Sequence, residues 1–262
     1  MATMTKPSRS FDRAADYYDQ TRELPEPIAT HGIPAILQHI APQGKILDVG
    51  TGTGRISVPL LRLGADVIGV DLSLNMMGKL REKYSTAHLA QADASRLPFA
   101  TQRFDAVLTT HVMHLIGPWR EALREYRRVL KPGGVYIDST QWHDNTSLLR
   151  RIRDHWRELV EAQGAQWRRP GAQSPEEITA ELQALGARVE EVEVLRYYST
   201  STPREVLEAI HSRVCSDAWD VPDHVFETTY KEITVWTKQE FKHLDEPIST
   251  ERRFVLRITR FD

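Results

Sequence analysis

The sequence predicts an α/β protein built on a doubly wound, mostly parallel sheet. Short apolar runs alternate with amphipathic helical segments through the first half of the chain, a glycine-rich turn (residues 50–54) follows the first run, and Asp71 ends the second. Strands that alternate with helices return in the same direction through right-handed connections. Ligands of such sheets bind at the carboxyl ends of the strands, so we expect the functional site at that edge.

Composition limits the partners and the compartment. The 262 residues are 40% hydrophobic and 27% charged, which suits one substantial core with an appended segment. The formal net charge of −2 gives no electrostatic reason to expect nucleic acid or an anionic membrane as partner. Cys215 is the single cysteine, and the first ten residues lack the apolar run of a signal peptide, so the sequence predicts a cytoplasmic protein. No apolar run approaches the length of a membrane span.

Hydrophobic periodicity and the residues that end each segment give the order of the elements. The predicted strands cover residues 46–49, 65–71, 88–92, 104–110, 135–139, 188–198 and 251–261. The predicted helices cover residues 10–24, 28–40, 55–63, 73–84, 118–130, 148–164, 174–185, 203–213 and 222–244. Prolines 25 and 42 and glycine 64 stop the helices before them, and Ser73 is the expected N-cap of the helix that it begins.

The stretch KILDVGTGTGR, residues 45–55, indicates a nucleotide-like cofactor. A strand that runs through glycines into a helix N-terminus is expected to present free backbone N–H groups to a ligand. The glycines at 50, 52 and 54 spell GxGxG rather than the GxGxxG of dinucleotide sites, and no GxxxxGK[ST] phosphate loop occurs. Asp48, just before the glycines, would repel a pyrophosphate and would hold a ligand that carries an ammonium group.

Five segments resemble the motifs of the class I S-adenosylmethionine (SAM) dependent methyltransferases of the type 11 kind. LDVGTGTGR is similar to the glycine-rich motif I, VDLS to the ribose-binding motif, QADASRLPF to the adenine-contacting segment, FDAVLTTHVMHLI to motif IV, and VLKPGGVYI to the turn before strand five. The resemblance implies a Rossmann-like sheet of seven strands with an antiparallel last strand, plus a helical cap. It divides a single catalytic domain into N-terminal helices that form a lid (1–44), a SAM-binding core (45–139) and the rest of the sheet with inserted substrate-cap helices (140–262).

The resemblance also implies which residues bind the methionine end of SAM. Gly50, Thr51 and Gly52 would lie beside the methionine moiety, with Asp48 near its ammonium group. Tyr18, in the N-terminal helix, would close over the cofactor as part of the lid.

A second group is implied at the nucleoside end. Asp71 would bind the ribose hydroxyls, and Asp93 would accept a hydrogen bond from the adenine amine. The N–H of Ala94 would donate to an adenine ring nitrogen, while Leu72 and Met76 would pack on the adenine. An alternative for Leu72 and Met76 is a purely structural place in the core.

The protein does not need to activate the methyl donor, because SAM is already activated and reacts by in-line SN2 displacement. Holding a nucleophile in line and excluding water are the main tasks. His111, at the end of the fourth strand, is the candidate general base or substrate contact, with a structural role as the alternative. The chain lacks the (N/D)PP(Y/F) turn of amino-directed DNA methyltransferases, so no DNA partner is expected. No His, Asp and Glu grouping has metal-ligand spacing, so no metal is expected.

We therefore predict a SAM-dependent methyltransferase that acts on a small molecule and releases S-adenosylhomocysteine. Five tryptophans follow residue 140 and favour an enclosed pocket for a partly apolar or aromatic acceptor, unless they only pack the cap helices. The alternatives are a SAM-binding sensor or regulatory protein without methyl transfer, and an RNA or protein methyltransferase. The sequence leaves open the oligomeric state and whether the acceptor atom is O, N or C.

Overall fold

The computed structural model describes residues 7–143, 147–165 and 169–261. Within these residues the strands are β1 Lys45–Val49, β2 Asp66–Asp71, β3 His88–Gln91, β4 Phe104–Thr110, β5 Leu130–His143, β6 Ala187–Ser201 and β7 Ile248–Phe261. The α-helices are α1 Tyr18–Thr21, α2 Ile33–Gln38, α3 Ser57–Arg62, α4 Leu74–Lys83, α5 Trp119–Val129, α6 Leu148–Ala162, α7 Pro175–Ala184, α8 Pro203–His211 and α9 Asp223–Glu240. All seven predicted strands are present.

The strands form one sheet in the order β3-β2-β1-β4-β5-β7-β6. Strands β1 to β5 are parallel and β7 is antiparallel, which confirms the predicted fold class. In the centre of the sheet, Leu47 of β1 lies opposite Ile68 of β2 on one side and Val107 of β4 on the other. The strand order changes direction between β1 and β4, so the crevice at their carboxyl ends is the expected place for a ligand.

The predicted helix over residues 10–24 is wrong. The segment contains one 3₁₀ turn, Asp12–Ala14, and the four-residue α1. Only Ala14 and Ala15 are buried along it, so its apolar face is too narrow to stabilise a long helix by packing. Hydrogen bonds from its side chains to distant loops hold the segment instead, as described below.

Two further elements differ from their predicted form. The helix predicted over residues 28–40 begins as a π-helical turn, Ile28–Gly32, before α2, and Pro34 lacks the N–H that an α-helix would donate to Thr30. Strand β5 begins at Leu130, ahead of the predicted turn at residues 131–134. Phe104 pairs with Leu130 and Ala106 with Val135, so residues 131–134 bulge out of the ladder.

The chain divides into two compact units. The first comprises Met1–Thr140, Pro170–Leu195 and Phe254–Asp262, and its main core packs apolar residues of the strands against α5 and α7. At the centre of that core the rings of Tyr126 and Tyr136 lie 5.2 Å apart. The predicted division at residues 44 and 139 stays a prediction.

The second unit, Gln141–Arg169 and Arg196–Arg253, is built on α6, α8 and α9. Trp156 on α6 is buried in its core, and its indole N–H donates to the Thr229 hydroxyl at 3.2 Å. This tryptophan therefore packs helices together, as the alternative interpretation had it. The Trp142 side chain and the whole of Trp167 lie outside what the structure describes. No helix in the described ranges has both the length and the apolar character needed to cross a membrane.

Candidate functional site

A cleft open to solvent lies at the carboxyl edge of the first unit and forms the candidate pocket. Its lining comes from the N-terminal segment, the end of β1, the glycine-rich loop and the end of β4: Tyr18, Asp48, Gly50, Thr51, Gly52, Thr53, Arg55, Ile56 and Thr110. This is the crevice where the strand order changes direction. The pocket thus brings together Tyr18 and the four residues assigned from the sequence to the methionine end of a cofactor.

The glycine-rich loop needs its glycines for two different reasons. Gly50 and Gly54 have φ values of +74° and +83°, and a Cβ there would lie 2.5 Å from Val112 and 2.6 Å from Leu80, respectively. Gly52 also has a positive φ, +55°, but a Cβ at this position would meet nothing closer than Met76 at 3.4 Å. The outer two glycines allow close packing, whereas the middle one serves the backbone conformation.

The expectation that this loop offers free N–H groups is wrong for four of its residues. The N–H groups of Gly50 and Thr51 both donate to the Val70 carbonyl, at 2.8 and 3.0 Å. The N–H of Gly52 donates to Asp71 at 2.9 Å, and that of Gly54 donates to the Thr51 carbonyl at 3.0 Å. The first three donors hold the loop against the end of β2, and the Gly54 N–H closes a turn within the loop.

Asp48 lies beneath the loop with only 3% of its surface exposed. Its carboxylate accepts a 2.5 Å hydrogen bond from the Ser57 hydroxyl, which lies 2.7 Å from the Thr51 hydroxyl. Burial raises the pKa of Asp48 to about 6, the hydrogen bonds from Ser57 and Thr51 oppose the shift, and the charge of Asp71 adds to it. A positively charged ligand group in the pocket would stabilise the ionised form.

Asp71, at the end of β2, is held by both neighbouring loops. One carboxylate oxygen accepts from the Gly52 N–H and the other from the Ser73 N–H, each at 2.9 Å. Burial is the main cause that raises its pKa. Ser73 is the N-cap of α4, as predicted, and accepts from the Met76 N–H. The carboxylate is therefore fixed in direction before any ligand binds.

The residues predicted for adenine lie apart from the pocket lining. Met76 and Ala94 are buried, and Ala94 belongs to the main core. Asp93 directs one carboxylate oxygen to the N–H and hydroxyl of Ser95, at 2.9 and 2.7 Å. Leu72 is half-buried, and its carbonyl accepts from the Gln91 side chain. None of these four is among the described residues that line the pocket, so their roles toward adenine stay predictions.

His111 follows β4 in a left-handed conformation, with a φ of +53°. This conformation costs a non-glycine residue of order 1–3 kcal/mol and persists only where the surroundings impose it. Those surroundings are visible: Val112 packs on Gly50, and the carbonyls of Met113 and His114 accept from the backbone of the segment at residues 171–172. His111 is half-buried next to Thr110 of the pocket lining, and its catalytic role stays a prediction.

Sequence reasoning missed several residues of the site. The pocket lining also includes Thr53, Arg55, Ile56 and Thr110. The first two belong to the same GTGTGR stretch as the glycines of the loop. Ile56 and Thr110 carry no sequence signal beyond their place at the end of an element. Across the described part of the chain, no cluster of three or more His, Cys, Asp or Glu side chains is placed to hold a metal ion.

Comparison with known proteins agrees with this geometry. Residues 47–137 match the model of a methyltransferase domain family. The malonyl-[acyl-carrier protein] O-methyltransferase of Enterobacter lignolyticus is 31% identical over 154 residues, which are 58% of this chain and 59% of that protein. The demethylmenaquinone methyltransferase of Renibacterium salmoninarum is 33% identical over 145 residues, 54% of this chain and 61% of that protein.

The part of the chain that carries the candidate site is therefore similar to a methyltransferase domain. The chain spans 59% and 61% of the lengths of these two relatives. The match to the family model includes the glycine-rich loop and β4. The crystal structure of a putative methyltransferase from Bacillus halodurans superposes with a TM-score of 0.58 at 18% identity, covering 87% of this chain and 97% of that one. That likeness shows the methyltransferase fold.

Proposed function

We propose that the protein transfers the methyl group of SAM to a small-molecule acceptor and releases S-adenosylhomocysteine. The observation that carries the proposal is the Asp71 carboxylate, fixed by two backbone N–H groups at the end of β2 beside a GxGxG loop that lines the pocket. An oriented carboxylate at this position suits a ligand that offers hydroxyl groups. The match of residues 47–137 to a methyltransferase domain family supports the same cofactor.

The residues of the pocket suit the charges of SAM. Asp48 lines the pocket and is buried, and the charge of the half-buried Asp71 adds to the rise of its pKa, so a cationic ligand in the pocket would stabilise the ionised form of Asp48. SAM, when bound, supplies an ammonium group and a methyl group activated on a positively charged sulfur. Tyr18 would limit the access of water, and His111 would accept a proton from an acceptor that arrives protonated.

The acceptor is a small molecule in this proposal, partly apolar or aromatic. One relative is named an O-methyltransferase of malonyl-[acyl-carrier protein] and the other a demethylmenaquinone methyltransferase, so the two names point to different acceptors. A cytoplasmic location is part of the proposal and rests on the single cysteine, Cys215.

Calorimetric titration with SAM, S-adenosylhomocysteine and NAD tests the cofactor. We expect the first two ligands to bind wild type and Asp71→Ala to lose that binding. At a hundredfold excess over its dissociation constant, S-adenosylhomocysteine should stabilise wild type by about 2.7 kcal/mol. Asp66→Ala is the matched control, because Asp66 begins the same strand with a 49% exposed side chain. Binding of NAD alone, or no binding at all, would refute the proposal.

Methyl transfer itself is tested with a panel of small carboxylic acids, phenols, quinols and amines, followed by mass spectrometry for one added methyl group. His111→Ala should slow transfer to an acceptor that needs deprotonation and leave cofactor affinity unchanged. Tight cofactor binding without transfer to any member of the panel would favour the sensor alternative.

A further inference from the structure

Residues 8–22, which we call the N-terminal strap, bond to the segments that follow β1, β2 and β4. At one end, the Arg9 N–H donates to the Leu115 carbonyl at 2.9 Å, and the Ser8 hydroxyl accepts from the Gly117 N–H at 3.3 Å. Two aspartates farther along reach the other two segments. The strap therefore runs along the part of the edge formed by the ends of β2, β1 and β4, within the first unit.

Asp12 holds the segment after β2. One of its carboxylate oxygens accepts a 2.5 Å hydrogen bond from the Ser73 hydroxyl, and the hydrogen bonds from Ser73 and Ser10 lower the pKa of Asp12. Ser73 is fully buried, and its N–H donates to Asp71. Asp12 is thus linked through one residue to the carboxylate at the end of β2.

Asp19 holds the glycine-rich loop. One carboxylate oxygen accepts from the Thr53 hydroxyl at 2.6 Å, and the other pairs with the Lys83 ammonium at 2.5 Å. That ammonium also donates to the Thr53 carbonyl at 2.8 Å, which closes a ring of three residues. Thr53 is 1% exposed and lines the pocket, so both its side chain and its backbone are fixed by this ring.

Asp16 lies between these two aspartates and differs from both. It pairs with Lys79 at 3.1 Å, but its side chain is 91% exposed. Exposed ion pairs contribute little to stability, whereas hydrogen bonds between a charged group and a buried partner contribute more. Asp16 is therefore a matched control for Asp12 and Asp19, because it is also an aspartate of the strap and its ion pair with Lys79 does not involve a pocket residue.

We propose that Asp12 and Asp19 are positioning residues of the cofactor site. They fix Ser73 and Thr53, and through these residues the Asp71 carboxylate and the glycine-rich loop, in the geometry that binds the cofactor. Tyr18, next to Asp19 in the strap, is placed in the pocket lining by the same contacts. The cofactor then enters and leaves when the strap releases Ser73 and Thr53. The inference rests on the proposed function and adds the residues that set cofactor affinity and exchange.

The test compares Asp12→Asn, Asp19→Asn and the control Asp16→Asn. We expect the first two to speed the dissociation of S-adenosylhomocysteine about tenfold, the equivalent of about 1.4 kcal/mol, and the control to stay within about twofold of wild type. Because the defect lies in cofactor binding, KM for SAM should rise while kcat at saturating SAM stays near its wild-type value. Dissociation from wild type should also quicken as salt is added, and Asp19→Asn should lose that dependence.

Two further measurements keep the outcomes distinct. Lys83→Met opens the Asp19 ring from the other side and should reproduce the Asp19→Asn dissociation rate, with no further increase in the double variant. Amide hydrogen exchange of the glycine-rich loop, measured without ligand, should rise in Asp12→Asn and Asp19→Asn but not in Asp16→Asn.

If wild type binds no S-adenosylhomocysteine, the proposed function fails, and the exchange data alone decide whether the aspartates position the loop. If wild type binds and the dissociation rates of all three variants match it, the positioning role is refuted. A loss of overall stability in Asp12→Asn and Asp19→Asn with unchanged KM would likewise assign the two aspartates to folding only.

Discussion

The most informative perturbation of the site is Asp48→Asn, because it removes one buried charge and keeps the shape of the side chain. The pKa of Asp48 rises from its usual 3.8 to about 6 in the folded protein. At 1.36 kcal/mol per pKa unit, ionising this group in the folded state costs up to about 3 kcal/mol more than in the unfolded state.

The sign of the pH dependence follows from proton linkage. The folded protein binds the Asp48 proton more tightly than the unfolded chain does, so the contribution of Asp48 to stability is full below pH 4 and is lost as pH rises through about 6. An asparagine has no such dependence. The Asp48→Asn protein should therefore gain stability over wild type as pH rises from 4 to 7, by at most about 3 kcal/mol.

Urea unfolding of both proteins at intervals between pH 4 and pH 7.5 measures this difference directly. Ser57→Ala provides a second check, since its hydrogen bond opposes the shift and its loss should move the midpoint of the pH dependence upward. Asp48→Asn should also bind S-adenosylhomocysteine more weakly at pH 7.5 if the carboxylate meets the ammonium group. A stability difference that stays flat across the range would refute the reasoning about burial.

Two other variants test the framework around the site. Arg257→Met should destabilise the protein by about 3–5 kcal/mol in urea unfolding, because the Arg257 side chain, 3% exposed, pairs with buried Asp138 at 2.8 Å. The additional change Asp138→Leu should recover most of the lost stability. An equal loss of stability in the double variant would show that packing, not charge, is responsible. Thr202→Ala should cost about 1 kcal/mol because Thr202 and Glu205 form the capping box of α8, whereas the control Thr179→Ala, inside a helix, should change stability little.

The sequence predicts the sheet well because its signals are local. Each of the five parallel strands contains a short apolar run, and β6 and β7 alternate apolar with polar residues. The glycines of the loop mark positions where positive φ or close packing excludes other residues. The N-cap role of Ser73 is equally local, since a serine before a helical segment needs only the next turn to accept its hydrogen bond.

The failures concern contacts between distant segments. Asp12 and Ser73 are 61 positions apart, and Asp19 and Thr53 are 34, so periodicity within residues 10–24 gave no sign that these aspartates bond to loops instead of capping a helix. The glycine-rich loop shows the same limit: its composition indicates the turn, but whether its N–H groups face a ligand or Val70 depends on the neighbouring strand. The left-handed His111 is likewise imposed by packing from residues far away in the chain.

The sheet order has a consequence for how the chain is made. Within the described sheet, β6 has β7 as its sole neighbour, yet 46 residues lie between Ser201 and Ile248. At about 5–20 residues per second, a ribosome needs roughly 2–9 s to deliver the partner of β6. During that interval β6 is an unpaired strand that could bond to the same strand of another nascent chain. The glutamates at 190, 191 and 193 oppose this pairing, because like charges on two copies of β6 repel each other. These charges therefore disfavour aggregation of the nascent chain before β7 has been synthesised.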